Sequence, residues 1–141
     1  MAILYPVSAG TIVLCNYATG FREPEMIKRR PAMVISPRLP HRNGLCCVVP
    51  LSMTPPDHAV DYQVKIIFDK PLPSPWDGTE RWAKADMLAT VSLERLDLFR
   101  TERDQYGKRK YLTIKANPEQ LKLVQIAVLH GLGLGALTEH L

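Results

Sequence analysis

The chain has 141 residues, 46% of them apolar and 23% charged, which is ordinary for one globular domain over residues 1–141 with a core of its own. A net charge of +4 favours an anionic partner mildly, so the placement of charge carries more information than its total. No apolar run approaches the roughly 18 residues of a membrane span, and the start, MAILYPVSAG, lacks the charged and apolar regions of a signal peptide. The expected setting is therefore cytoplasmic, with no membrane partner.

The three cysteines, Cys15, Cys46 and Cys47, are odd in number and sit in apolar runs without metal-ligand spacing. That pattern predicts core thiols in a reducing compartment. Nothing in the sequence calls for zinc, another metal or a cofactor.

Taken in chain order, Gly10–Tyr17 (GTIVLCNY) is apolar and β-branched and predicts a first strand. Residues 18–30 form a polar loop well beyond the usual hairpin length, with Arg22, Lys28, Arg29 and Arg30 set against Glu23 and Glu25. Pro31–Ser36 predicts a second strand, with proline first, where a missing N–H does least harm. Leu45–Ser52 (LCCVVPLS) is almost wholly apolar and predicts a central strand, with Pro50 marking a bulge or a strand end. Val60–Ile67 alternates and predicts a half-exposed strand.

A proline-rich loop, residues 68–79, follows. Arg81–Leu88 alternates again, which places Trp82, Lys84 and Asp86 on one face. Ser92–Phe99 predicts a helical turn running into a strand, and residues 100–110 a polar hairpin around Gly107, rich in Lys and Arg. Asn117 as N-cap, Pro118 at the first helical position and Glu119 next predict a terminal helix. Its apolar stripe is Leu121, Val124, Val128 and Leu132, and Gly131, Gly133 and Gly135 predict fraying beyond it. Several short strands and one terminal helix define a small β-barrel or α+β domain.

Several side chains suit phosphate chemistry. Arg30, at the mouth of the second strand, offers a planar fork of donors. Ser52 and Thr54, at the end of the third, offer hydroxyls to phosphate oxygens, or alternatively form the turn before Pro55. Lys84 and Asp86 could act as acid and base in phosphodiester cleavage, or simply as a solvated pair. Trp76 and Trp82 offer faces for base stacking, with core or dimer packing the alternative for Trp82. The four histidines show no metal spacing, and GLGLG follows a helix instead of opening one, so it is no nucleotide fingerprint.

The ordered blocks Gly10-Thr11-Ile12-Val13, Glu25, Arg30-Pro31 through Ser36, Val48-Val49-Pro50-Leu51-Ser52 and Lys84 to Leu96 resemble the PemK/MazF family of type II toxin–antitoxin ribonucleases. The resemblance spans roughly residues 9–97, and the terminal helix fits it. It implies an SH3-like barrel, mainly β with a C-terminal helix, that forms a homodimer. It also implies metal-independent cleavage of single-stranded RNA with the ribose 2′-hydroxyl as nucleophile, and an antitoxin protein as partner. By position, Arg30 matches the arginine that serves as acid or transition-state clamp, Ser52 the active-site hydroxyl and Asp86 the general base. Lys84 falls where an arginine acid stands, and Glu25 where the loop glutamate stands. Lys28, Arg29 and Thr54 join Glu25 as RNA-binding candidates. Ser52 replaces the commoner threonine, Lys84 lacks the arginine fork, and ATVSLERL lacks the usual Arg and Asp. These departures keep open a catalytically silent barrel that binds RNA or protein. A gyrase-directed toxin resembling CcdB, which shares the fold, is a third possibility, though the C-terminal GALTEHL lacks the aromatic pattern of that activity.

Overall fold

The apolar run Leu45–Ser52 becomes the strand about which the sheet is organised. In the computed structural model, which describes residues 3–141, this strand is β3, with the bounds expected for it. β1 (Thr11–Asn16) pairs antiparallel with β2 (Arg29–Val34), and β2 pairs with β3. On its other edge β3 has two partners in succession. Its first half, through Val48, pairs with β6 (Ala89–Ser92), and its end, Leu51 and Ser52, pairs with β5 (Glu80–Lys84). Pro50 lies at this handover, where its missing N–H interrupts neither ladder, so the strand continues through it.

β4 (Gln63–Ile67) adds to β5 at one end of the sheet, and β10 (Ile114–Lys115) adds to β1 at the other. β7 (Leu96–Asp97) also pairs with β1, while β8 (Phe99–Arg103) and β9 (Arg109–Leu112) form a separate hairpin. Gly107, with φ of +79°, turns that hairpin, as its position predicts.

The mainly β architecture with one C-terminal helix is thus realised, but the sheet is not closed. β10 and β4 stand at opposite ends of the strand order. Between them lies a cleft of about 330 Å³ lined by Ile66, Pro71, Ile114 and Ala116, among others. Gln120 bridges it, its Oε1 accepting the Ile67 N–H at 2.9 Å.

Strands β1 to β3 are buried on both faces, which explains their continuous apolar runs. One cluster contains Ile12, Leu14, Met33, Val49, Leu51 and Phe99 under α1 (Pro118–Gly131). The other contains Val13, Cys15, Tyr17, Ala32, Val34 and Val48. α1 begins as expected: Asn117 Oδ1 accepts the Gln120 N–H at 2.8 Å, and Pro118 opens the first turn. Val124, Ala127 and Val128 are buried, whereas Leu132 is exposed, so the apolar stripe ends one turn earlier than its spacing suggests. The segment after the helix is ordered as a 3-10 turn over Gly135–His140.

The other departure matters for the site. The alternation of residues 81–88 predicts one strand, but the strand stops at Lys84 and Ala85–Met87 forms a 3-10 turn. The helix is the physical reason. Gly131 of α1 sits so close that a Cβ there would lie 3.2 Å from Asp86 Cα, which leaves no room for a straight strand.

Candidate active site

The register of β2 on β3 pairs Ala32 with Pro50, and two residues further along it sets Arg30 against Ser52. Both side chains therefore leave the same face at adjoining strand ends. Arg30 Nη1 donates to Ser52 Oγ at 3.5 Å, and the Thr54 N–H donates to the same oxygen at 3.1 Å. With two donors on its oxygen, the serine hydroxyl keeps its own proton to offer elsewhere. The basic run Lys28–Arg30 is not a loose loop before a strand. Arg29 and Arg30 are strand residues, opposite Asn16 and Cys15, while Lys28 is exposed just outside.

Arg81 escapes a reading based on charge runs. It lies on β5 in the inward alternation with Ala83, and it is 5% exposed. Its Nη1 donates to the Leu51 carbonyl and its Nη2 to the Trp76 carbonyl, both at 3.2 Å. Burial lowers the pKa of Arg81 from the ordinary arginine value, and the charge of Arg30 lowers it further. Burial likewise lowers that of Arg30, and nearby Tyr17 opposes the shift. Among the described residues neither arginine forms an ion pair, and the Nε of each is buried without a hydrogen-bond partner. Two partly desolvated cations without a carboxylate favour an anion at this end of the sheet. The one sequence signal was an arginine at an inward position of an alternating strand.

The remaining candidates divide between two clefts. Lys84 Nζ donates to Gln63 Oε1 at 3.0 Å and lines a cleft of about 320 Å³ with Thr54, Asp57, His58 and Tyr62. Thr54 connects this cleft to Ser52. Asp86, carried off the strand by the 3-10 turn, does not share the face of Trp82 and Lys84. It lines a second cleft of about 390 Å³ with Tyr17, Phe21, Glu25 and Met26. Glu25 is exposed, and its Oε2 accepts the Arg22 N–H at 3.0 Å, so it orders its own loop. Arg95 pins the start of that loop by donating to the carbonyls of Asn16 and Thr19, with its guanidinium 4.8 Å over the Phe21 ring. The structure thus gathers Arg30, Ser52 and Thr54, with Lys84 one step away and Asp86 and Glu25 together beyond it. No group of three or more metal-ligating side chains occurs among the described residues. No described helix is long and apolar enough to cross a membrane.

The chain is thus a small protein built on an open antiparallel sheet with a C-terminal helix, carrying an arginine and a hydroxyl at joined strand ends. Residues 8–129 match the family of PemK-like, MazF-like toxins of type II toxin–antitoxin systems. A putative uncharacterized protein, YifN of Escherichia coli (strain K12), is 35% identical over 105 residues, covering 70% of this chain and 67% of that protein. Among solved structures, an endoribonuclease from a mycobacterial species, in complex with its cognate antitoxin, is similar with a TM-score of 0.60. It is 19% identical and covers 92% of this chain and 97% of its own. MazF from Deinococcus radiodurans is similar with a TM-score of 0.56 at 22% identity, covering 92% and 98%. The chain belongs to the PemK-like, MazF-like toxin family, whose MazF-like members are endoribonucleases.

Proposed function

We propose that this chain is the toxin of a type II toxin–antitoxin pair and cleaves single-stranded RNA without a metal. The observation that carries this reading is the Arg30–Ser52 contact, with the buried cation of Arg81 behind it and, among the described residues, no carboxylate paired with either arginine. A phosphodiester seated there would bring its non-bridging oxygens against the Arg30 fork and the Ser52 proton. Charge that develops on phosphorus during attack would meet donors already in place. The 2′-hydroxyl oxygen forms the new bond to phosphorus while its proton passes through a water to Asp86, the carboxylate in the neighbouring cleft. The bond to the 5′-oxygen breaks, and Lys84 supplies the proton that oxygen needs. The products are a 2′,3′-cyclic phosphate and a 5′-hydroxyl end.

Lys28, Arg29 and Thr54 would hold the RNA backbone near the site. Glu25 would act by ordering the first loop. A second copy of the chain and an antitoxin with an acidic, extended segment complete the proposed assembly; the similar mycobacterial endoribonuclease is in complex with its cognate antitoxin.

The test is incubation of the purified chain with mixed-sequence single-stranded RNA in excess EDTA, beside Arg30→Ala. Wild-type cleavage leaving 5′-hydroxyl ends, with a loss of at least 100-fold in the variant, is expected. Equal cleavage by both proteins, or none by the wild type, would refute the assignment.

A further inference from the structure

We propose that the cleft between the 68–79 loop and the start of β2 is a second RNA subsite, in which a nucleobase stacks on Trp76 and a neighbouring phosphate lies against Arg29 and Arg100. This inference rests on the RNA reading above but uses none of the residues assigned to the chemistry. The cleft measures about 190 Å³. Phe99 is at its floor, and Arg29, Arg100, Pro75 and Trp76 line its walls.

Three features separate it from an ordinary surface hollow. The first is charge. Arg29 and Arg100 flank one carboxylate, Asp97, at 3.6 and 3.7 Å. These distances exceed the roughly 2.7–2.9 Å of a charge-assisted hydrogen bond, so both forks keep donors for a ligand. Both guanidinium groups are about half exposed, and the trio carries a net positive charge. Asp97, which also accepts the Leu98 N–H, holds two like charges side by side at the cleft.

The second feature is the indole. Trp76 is half-buried and packs against the core below it while lining the cleft above. An aromatic ring lining one cleft with two arginines is the combination that single-stranded nucleic acid uses: stacking for bases and cations for the backbone.

The third feature is rigidity. The proline-rich loop is closed by the Phe68 N–H to the Thr79 carbonyl at 2.7 Å and the Leu72 N–H to the Gly78 carbonyl at 3.1 Å, with Leu72 buried. Arg81 then ties the Trp76 carbonyl to the Leu51 carbonyl, one residue before Ser52. The stacking residue and the active hydroxyl are therefore held by the same guanidinium. Arg29 and Arg30 are adjacent on β2 and face opposite sides of it, so a strand of RNA crossing the rim would meet both sites in turn.

The experiment uses the full chain carrying Arg30→Ala, which separates binding from cleavage, and Trp82→Phe, which leaves Trp76 as the one indole. It is titrated with a mixed-sequence eight-nucleotide single-stranded RNA and with an abasic ribose–phosphate strand of equal length. The RNA should quench Trp76 fluorescence and the abasic strand should not. Trp76→Ala, introduced in the same Arg30→Ala chain, should weaken RNA binding by roughly 5- to 100-fold, with Trp76→Phe recovering most of the loss. Replacing Arg29 and Arg100 together by Gln should make the salt slope shallower by about 1.4.

Trp76→Ala and the double Gln variant binding RNA within twofold of their parent, with an unchanged salt slope, would overturn the subsite whether or not the wild-type chain cleaves. Quenching and Trp76-dependent binding by a chain that never cleaves RNA would keep the subsite and remove the nuclease reading instead.

Discussion

Arg81 has no partner of opposite charge, yet it is the most deeply buried ionic side chain among the described residues. Its contribution is to connect: the buried Leu51 carbonyl near the end of β3 and the half-buried Trp76 carbonyl of the 68–79 loop are satisfied by one planar group. Arg81→Leu removes an uncompensated charge but strands both carbonyls. At about 1–3 kcal/mol for each unsatisfied group, the second effect wins. We expect urea unfolding to show a loss of about 3 kcal/mol, and RNA cleavage to fall even where the variant is fully folded, because Ser52 and Trp76 lose their common anchor.

The buried thiols behave differently. Burial pushes Cys15 and Cys46 up to about 11 from 9.0, with neighbouring groups as smaller influences. A folded-state pKa above the unfolded one means that the folded chain holds its proton longer. The stability linked to these thiols is therefore complete below about pH 9 and is lost as pH rises through about 11. The drop should be on the order of 2 kcal/mol per thiol. Cys15→Ala with Cys46→Ala should flatten the alkaline limb of a plot of stability against pH. With the wild type, a thiol reagent at neutral pH should modify half-exposed Cys47 first.

Among the elements, α1 has an influence beyond its own packing. Its first turn supplies Gln120 to the sheet seam, and its last turn, through Gly131, forces the chain at Asp86 out of the strand. Asn117→Ala should cost about 1 kcal/mol. It should also speed amide exchange at Ile67, because the cap positions the residue that bridges the seam; exchange measured by NMR tests both effects.

The elements also differ in how plainly the sequence announces them. β3 and the start of α1 coincide with their predicted bounds because a continuous apolar run and an Asn-Pro cap are local signals. The 3-10 turn at Ala85–Met87 has no such signal. Its cause lies 45 residues away in Gly131, and the alternation Trp82, Lys84, Asp86 runs straight through it. Arg30 and Ser52 were legible as candidates at two strand ends, and only the family resemblance assigned them to one site, while Arg81 was hidden because its partners are backbone carbonyls, which no side-chain pattern records.

For the whole molecule, the modest net charge of +4 conceals an uneven distribution: Arg30 lies near Arg81 on one side of β2 and Arg29 near Arg100 on the other, while Glu25 and Asp86 share a cleft of their own. RNA affinity should therefore fall steeply with salt. For three to four phosphate contacts the slope of log K against log salt should be about −2 to −3. Binding measured between low and physiological salt checks this, and a flat response would argue against a backbone-led interface.

The unclosed seam gives the molecule the form of a clasp instead of a ring. Its two outermost strands never exchange a hydrogen bond with each other, so the ladders carrying Arg30 and Ser52 can form before the last quarter of the chain exists. What arrives last is the fastener: the helix whose Gln120 reaches back to Ile67. During synthesis the chemistry-bearing strands are thus laid down early, and the enclosing of the core beneath them waits for the C-terminal segment to leave the ribosome.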